Sequence, residues 1–339
     1  EEPLPFARLV ADVMRGGSPL RLELTLVQQA NQGSNAPRFS KRVRINGVNK
    51  RVLDLVGCLP VVLFLPRDIQ LITGSPAGRR RYLNVSLCQM DAAYCRALAQ
   101  YDRVLAQRNA LLRELRERDS GQGEEQLRFW DERLVTLGSQ LTTRRAALVA
   151  ALDEEAKRQH QGLSAGREQL RLRYVSGIAE RLPPAAQQLA LKLQGGAEPM
   201  AVDTDQTAAL FQERLRAVRE REIAAGMTLL GPHRDDLQFL IEGRDLRAYG
   251  SRGQQRTAAL ALKLAEVAVM SRELGEPPLL LLDDVMSELD DVRRRALLAL
   301  LTSAPQAIIT ATDWDDFSPA FRAQARQLRV VEGRIEEVV

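Results

Sequence analysis

The stretch PPLLLLDDVMSELDD (277–291) decides the fold. Four leucines bounded by prolines and ending in Asp283-Asp284 read as a buried strand that presents two carboxylates at its C-terminal edge. In an α/β sheet that edge is where ligands bind. Asp283 is therefore a candidate Mg²⁺ ligand, a hard oxygen donor for a hard cation. Asp284 beside it is placed to polarise an attacking water. A solvated strand end would look similar, so the flanking sequence has to separate the two readings.

Upstream, Tyr249-Gly-Ser-Arg-Gly-Gln-Gln-Arg256 precedes a run without Gly or Pro from Gln254 to Leu274. This predicts a glycine-containing turn that opens a helix, with Ser251 or Gly253 near the cap. Such a turn offers backbone N–H groups, a hydroxyl and the positive end of a helix dipole to an anion. Further upstream, LQFLIEGRDLRAY (237–249) predicts a strand–turn–strand about Glu242-Gly243. Downstream, the pattern gives a helix over 291–301, a strand Ala307–Thr310 and a strand near Gln327–Val331. Strand and helix alternate, which argues a parallel α/β sheet.

The front of the chain differs. Leu20–Val27 and Arg42–Ile45 read as strands, the second followed by an Asn46-Gly47 turn, and PVVLFLP (60–66) reads as a fully buried strand. The middle is helical. Apolar side chains recur every three or four positions from Asn84 to Arg118, which predicts one long amphipathic helix. Asp119-Ser-Gly-Gln-Gly123 breaks it, and a second helix over Glu124–Gln161 completes an expected antiparallel hairpin. Leu182-Pro-Pro184 and Gly195-Gly196 punctuate the next segment, and a charged helix is expected over 204–225. The division is thus 1–65 strand-rich, 66–225 helical and 226–339 α/β.

Composition narrows the function. Apolar residues at 45% and charged residues at 27% are ordinary for a globular chain. Aromatics at 4% leave few rings for base stacking. A net charge of +4 suits an anionic partner met through local patches. Cys58, Cys88 and Cys95 form no CxxC pair, so neither a disulfide framework nor a zinc site is expected and the cytoplasm is the expected compartment. No apolar run is long enough to span a bilayer. Arg79-Arg80-Arg81 either touches DNA phosphates or braces the helical segment. His233, in GPHRDD, reads as a structural histidine at a junction, and His160, ending a charged helix, is expected to be exposed.

The order of turn, helix, Asp-Asp strand and Ser287-Glu-Leu-Asp290 resembles the ABC-type ATPases. Ser251, Gly253 and Gln254 look like their signature motif, Leu279–Asp284 like the Walker B strand and Ser287–Asp290 like the D-loop. Thr312 stands where that family carries a switch histidine. More narrowly, FLPRDIQLITGSPAGRRRYLN (64–84), GPHRDDLQFLIEG (231–243), and GSRGQQRTAALALKLAE (250–266) with LLDDVMSELDDVRRR (281–295) resemble the RecF family of bacterial recombination mediators. YDRVLAQRNALLREL (101–115) is similar to that family's first long lobe helix. Two positions depart from the family pattern: Arg67 stands where an acid is usual, and Asn84 where an aspartate is usual.

The resemblance implies an α/β ABC-ATPase head, lobe I, with a mostly α-helical lobe II inserted and containing the long hairpin. It implies ATP and Mg²⁺ as cofactors, an ATP-dependent homodimer, and slow hydrolysis. Single-stranded and double-stranded DNA or their junctions are the implied partners, with RecO and RecR. Recombinase loading and support of SOS induction are the implied roles. Ser251, Gly253 and Gln254 would act in trans on the γ-phosphate, Asp283 on Mg²⁺, Asp284 on water, and Asp290 in coupling the two sites. No GxxxxGK[ST] and no Gly-Lys pair occurs in the 339 residues. The family carries that loop near its start, and Glu1 opens in what reads as loop. The chain is therefore expected to be a fragment that by itself binds ATP weakly or not at all. Alternatives are another ABC-type head, of an SMC protein or a transporter subunit, and a non-hydrolysing DNA-binding scaffold.

Overall fold

The computed structural model describes residues 6–29, 38–118, 124–179 and 203–338. The punctuation at 119–123, 182–184 and 195–196 lies outside them. The front of the chain is a four-stranded antiparallel sheet of β1 (Phe6–Arg15), β2 (Ser18–Gln29), β3 (Arg38–Ile45) and β4 (Val48–Lys50), in that order. Asn46 and Gly47 both have positive φ, 50° and 77°, the geometry a two-residue hairpin turn needs to match strand twist. Pairing of Leu22 with Ile45 and Leu24 with Val43 puts the aliphatic side chains on one face. Strand β1 was not anticipated; it pairs with β2 along its whole length.

The ligand-bearing sheet is parallel, in the order β10 (Ala307–Thr310), β9 (Leu279–Asp283), β5 (Val61–Phe64). One face is closed. Val62, Phe64, Leu280 and Leu282 are at most 3% exposed, packed against Leu260, Leu264 and Val267 of α6 (Arg252–Leu274) and Leu297 and Leu301 of α7 (Asp291–Ser303). The other face corrects the expectation of a fully buried strand over 60–66: Leu63 is 40% exposed, and on the same face Ile308 of β10 is 54% exposed.

The middle of the chain builds α1 (Pro76–Met90), α2 (Ala92–Arg118) and α3 (Glu124–Leu163). The single helix expected over 84–118 is interrupted at Asp91. Its Oδ1 accepts from the N–H groups of Ala93 (2.8 Å) and Tyr94 (3.0 Å), which caps a new helix. Helices α2 and α3 run antiparallel, since Tyr94 meets Arg145 and Arg108 meets Asp131. The charged helix expected over 204–225 is two, α4 (Thr204–Ala217) and α5 (Arg219–Ala225). A second three-stranded sheet joins β6 (Leu170–Val175), β7 (Asp236–Ile241) and β8 (Arg244–Asp245). The β6–β7 pairing ties the helical segment to the C-terminal one. A short hairpin, β11 (Leu328–Val331) and β12 (Arg334–Glu337), ends the described chain. No described helix is long and apolar enough to cross a membrane.

Candidate functional site

Ser251 caps α6. Its Oγ accepts from Gln254 N (3.2 Å) while Gln254 Oε1 accepts from Ser251 N (2.8 Å), a reciprocal capping box. The box fixes the turn and leaves other first-turn N–H groups without intrahelical partners. Gly253 meets only Ser251 Oγ and the Arg293 guanidinium, both at 3.9 Å from a Cβ built on it. Ser251 and Gly253 are exposed, as an anion site requires. The amide of Gln254 is engaged at both ends, because its Nε2 also donates to Glu168 Oε1 (2.9 Å). In this arrangement Gln254 shapes the turn, with one N–H and one lone pair of its amide already engaged.

The second element is the N-terminus of α7. Asp290 caps it, accepting from Arg293 N (3.0 Å). Arg293 then reaches back: Nη1 donates to Asp290 Oδ2 (2.6 Å), and Nη2 donates to Gly253 O (2.9 Å) and Thr257 Oγ1 (2.6 Å). One guanidinium thus clips the Ser251 turn to the Asp290 loop. The contact to Gly253, forty residues away, has no signature in the sequence.

The third element is the edge of the parallel sheet. Asp283 is exposed at the end of β9, and its Oδ1 accepts from Thr310 Oγ1 (2.7 Å). Asp284 has φ of 49°, a left-handed conformation that is uncommon outside glycine and stores strain. Its N–H is held by Thr310 O (3.2 Å) and Oγ1 (3.2 Å), and its Oδ1 is buried with no hydrogen-bond partner among the described residues. Thr310 rather than Thr312 touches the acids; Thr312 lies exposed beyond β10. Asp283 and Asp284 are hard oxygen donors of the kind Mg²⁺ takes, and among the described residues no third acidic, His or Cys side chain joins them in a metal-holding group.

Other singled-out residues are structural. Arg79 is 3% exposed and pairs as a fork with Asp236 (2.7 and 2.8 Å) while donating to Gly74 O. That takes it out of reach of DNA and makes it the brace. Arg80 donates to Asp235 O (2.9 Å), and Arg81 alone of the three is exposed. His233 accepts at Nδ1 from Tyr101 OH (2.7 Å) and donates from Nε2 to Thr228 O (3.2 Å). Burial lowers its pKa to about 4. His160 corrects an expectation: it is fully buried, not exposed.

No protein-family model matches the chain. Individual relatives do. It is 41% identical over 335 residues to the DNA replication and repair protein RecF of Herpetosiphon aurantiacus, covering 98% of this chain and 80% of that one. It is 42% identical over 339 residues to RecF of Chloroflexus aurantiacus, covering 98% and 81%. The chain belongs to the RecF family. A solved structure described as the recombination mediator protein RecF-ATPrS in the RecFOR pathway superposes with a TM-score of 0.78 at 27% identity, covering 98% of this chain and 80% of that one. A RecF-ATP structure gives 0.76, also at 27% identity, covering 95% and 76%. The fold is that of an ABC-ATPase head carrying a mostly helical lobe.

Proposed function

We propose that this chain acts in a DNA replication and repair ATPase whose Ser251 turn closes on ATP carried by a second subunit. The observation that carries this is the Arg293 clip, which holds the Ser251 turn and the Asp290 loop as one exposed surface. A surface that must meet a nucleotide on another subunit needs its helix N-terminus and its loop in fixed register. The solved relatives described as RecF-ATPrS and RecF-ATP support the nucleotide. Ser251 Oγ and the Gly253 N–H would face the γ-phosphate. Gln254 would hold the turn, and Asp290 would couple the two sites through Arg293. Asp283 would hold Mg²⁺, which when bound neutralises charge on the phosphate oxygens. Asp284, kept strained with one unpaired oxygen, would orient the attacking water.

ATP then acts as a dimerising ligand. The closed homodimer would bind single-stranded and double-stranded DNA or their junctions through phosphate contacts, with binding that weakens steeply with salt. RecO and RecR, recombinase loading and SOS induction belong to the same family reading. Titration of the 339-residue chain with ATP should show no saturation in the micromolar range, since it has no GxxxxGK[ST] loop. Micromolar affinity would contradict that. In the protein expressed from its complete reading frame, light scattering should show ATP-driven dimers that Ser251→Arg abolishes. Dimers unaffected by Ser251→Arg would sink the trans assignment.

A further inference from the structure

We propose that Glu168 is a positioning residue for the Ser251 turn, an assignment that rests on the nucleotide reading above. Its carboxylate holds the Gln254 amide, and through it the Ser251 cap, in the shape that meets the second subunit's nucleotide. The connection starts at the end of α3. Ser164 N donates to His160 O (2.8 Å) and Gly166 N to Gln161 O (2.8 Å), and Ala165 and Gly166 take positive φ of 52° and 72°. This reverses the chain and delivers Glu168 beside the start of α6.

There the two carboxylate oxygens face different groups. Oε1 accepts from Gln254 Nε2 (2.9 Å), while Oε2 lies 3.8 Å from Nε2 of His160. His160 is fully buried, and neither ring nitrogen has a hydrogen-bond partner among the described residues. Burial holds its pKa below the ordinary imidazole value, against the pull of Glu168. Burial thus works against a charge on the ring, and Glu168 Oε1 is committed to Gln254. Gln254 Oε1 in turn accepts from Ser251 N. The end of a 40-residue lobe helix is thus linked through Glu168 and Gln254 to the cap of the nucleotide-facing turn.

Two effects of Glu168 oppose one another. As an acceptor it fixes the turn. As an anion beside a helix N-terminus it competes with phosphate for the same positive potential. Neutralising it while keeping the acceptor should therefore preserve or improve nucleotide engagement, whereas removing the acceptor should impair it.

The test measures, by light scattering on the protein from its complete reading frame, the ATP concentration that gives half-conversion to dimer. Glu168→Ala should raise it about tenfold, the effect of losing one hydrogen bond to a charged group. Glu168→Gln should leave it unchanged or lower it. In the 339-residue chain, hydrogen exchange at the amides of Arg252–Gln255 should quicken in Glu168→Ala and not in Glu168→Gln. The thermal midpoint of both variants should stay within about 2 °C, as for a partly exposed side chain. Unchanged dimerisation and exchange in Glu168→Ala, where Ser251→Arg still blocks dimers, would overturn the positioning role alone. Equal gains in both variants would reduce Glu168 to its charge and overturn it too. Dimers that survive Ser251→Arg would remove the nucleotide reading and this inference with it.

Discussion

The two three-stranded sheets are built from opposite sequence patterns. In the lobe-side sheet, Leu170, Leu172 and Tyr174 of β6 and Leu237, Phe239 and Ile241 of β7 are buried, while the residues between them are polar or only partly buried. The alternation states that one face meets a core and the other meets water. In the parallel sheet, Val61–Phe64 and Leu279–Leu282 are apolar at every position, yet only alternate residues are buried. Such continuous apolar strands are the pattern of a sheet covered on both faces. The sequence of β5 and β9 is therefore written for a second covering layer. Leu63 and Ile308 mark where it would sit. Among the described residues, the β6–β7 pair has its alternate apolar side chains buried, and the parallel sheet is closed on one face.

If that contrast is right, breaking the lobe interior has the largest effect. Arg108 is fully buried, donating to Asp131 (2.7 Å), Thr228 (2.8 Å) and Glu222 (2.6 Å). Arg108→Ala leaves the fully buried Glu222 without a cation, while Asp131 keeps Arg219, and should cost about 4 kcal/mol in urea unfolding. A loss below about 1 kcal/mol would show that the lobe is not closed around this group. Within the head sheet the two faces should separate. Leu280→Ala, on the closed face, should cost about 3 kcal/mol. Ile308→Thr, on the open face, should cost under about 1 kcal/mol and reduce aggregation. Equal costs would mean that the open face is packed in solution.

How much of this was legible depends on where the signals are local. The Asp-Asp strand, the Ser251 cap and the start of α7 rest on hydrophobic runs and capping residues within a few positions, and each lies where the sequence put it. Strand β1 (FARLVADVMR) carries too irregular an alternation to be read without β2 beside it. The break at Asp91 needs its carboxylate to turn onto the next two N–H groups, which helical periodicity does not record. His160 looked like the end of a charged face, but α3 packs on α6 there and buries it. Thr310, Arg293 and Glu168 enter the site only through contacts across 27, 40 and 86 residues. Such contacts have no signature in one sequence.

The smallest effect is hidden by compensation inside the lobe interior. Asp235 is buried, and burial raises its carboxyl to about 6 although Tyr174 OH, Arg145 and Gly177 N–H pull it down. His233 nearby is lowered to about 4, again by burial first. Between about pH 4 and 6 the folded Asp235 holds a proton that the unfolded chain has lost, so its contribution to stability falls as pH rises. His233 does the reverse: below about pH 6.5 the unfolded chain takes a proton that the folded ring refuses, so its contribution falls as pH drops. Each is worth at most about 3 kcal/mol, and together they largely cancel. Single variants should unmask them. Relative to the unaltered chain, His233→Gln should gain stability steadily as pH is lowered from about 6.5 to 4, and Asp235→Asn should lose it over the same window. Denaturation curves at half-unit pH steps read both slopes. Parallel curves for all three proteins would mean that solvent reaches this interior, and the contrast between a closed lobe and a half-open head sheet would fail on the lobe side.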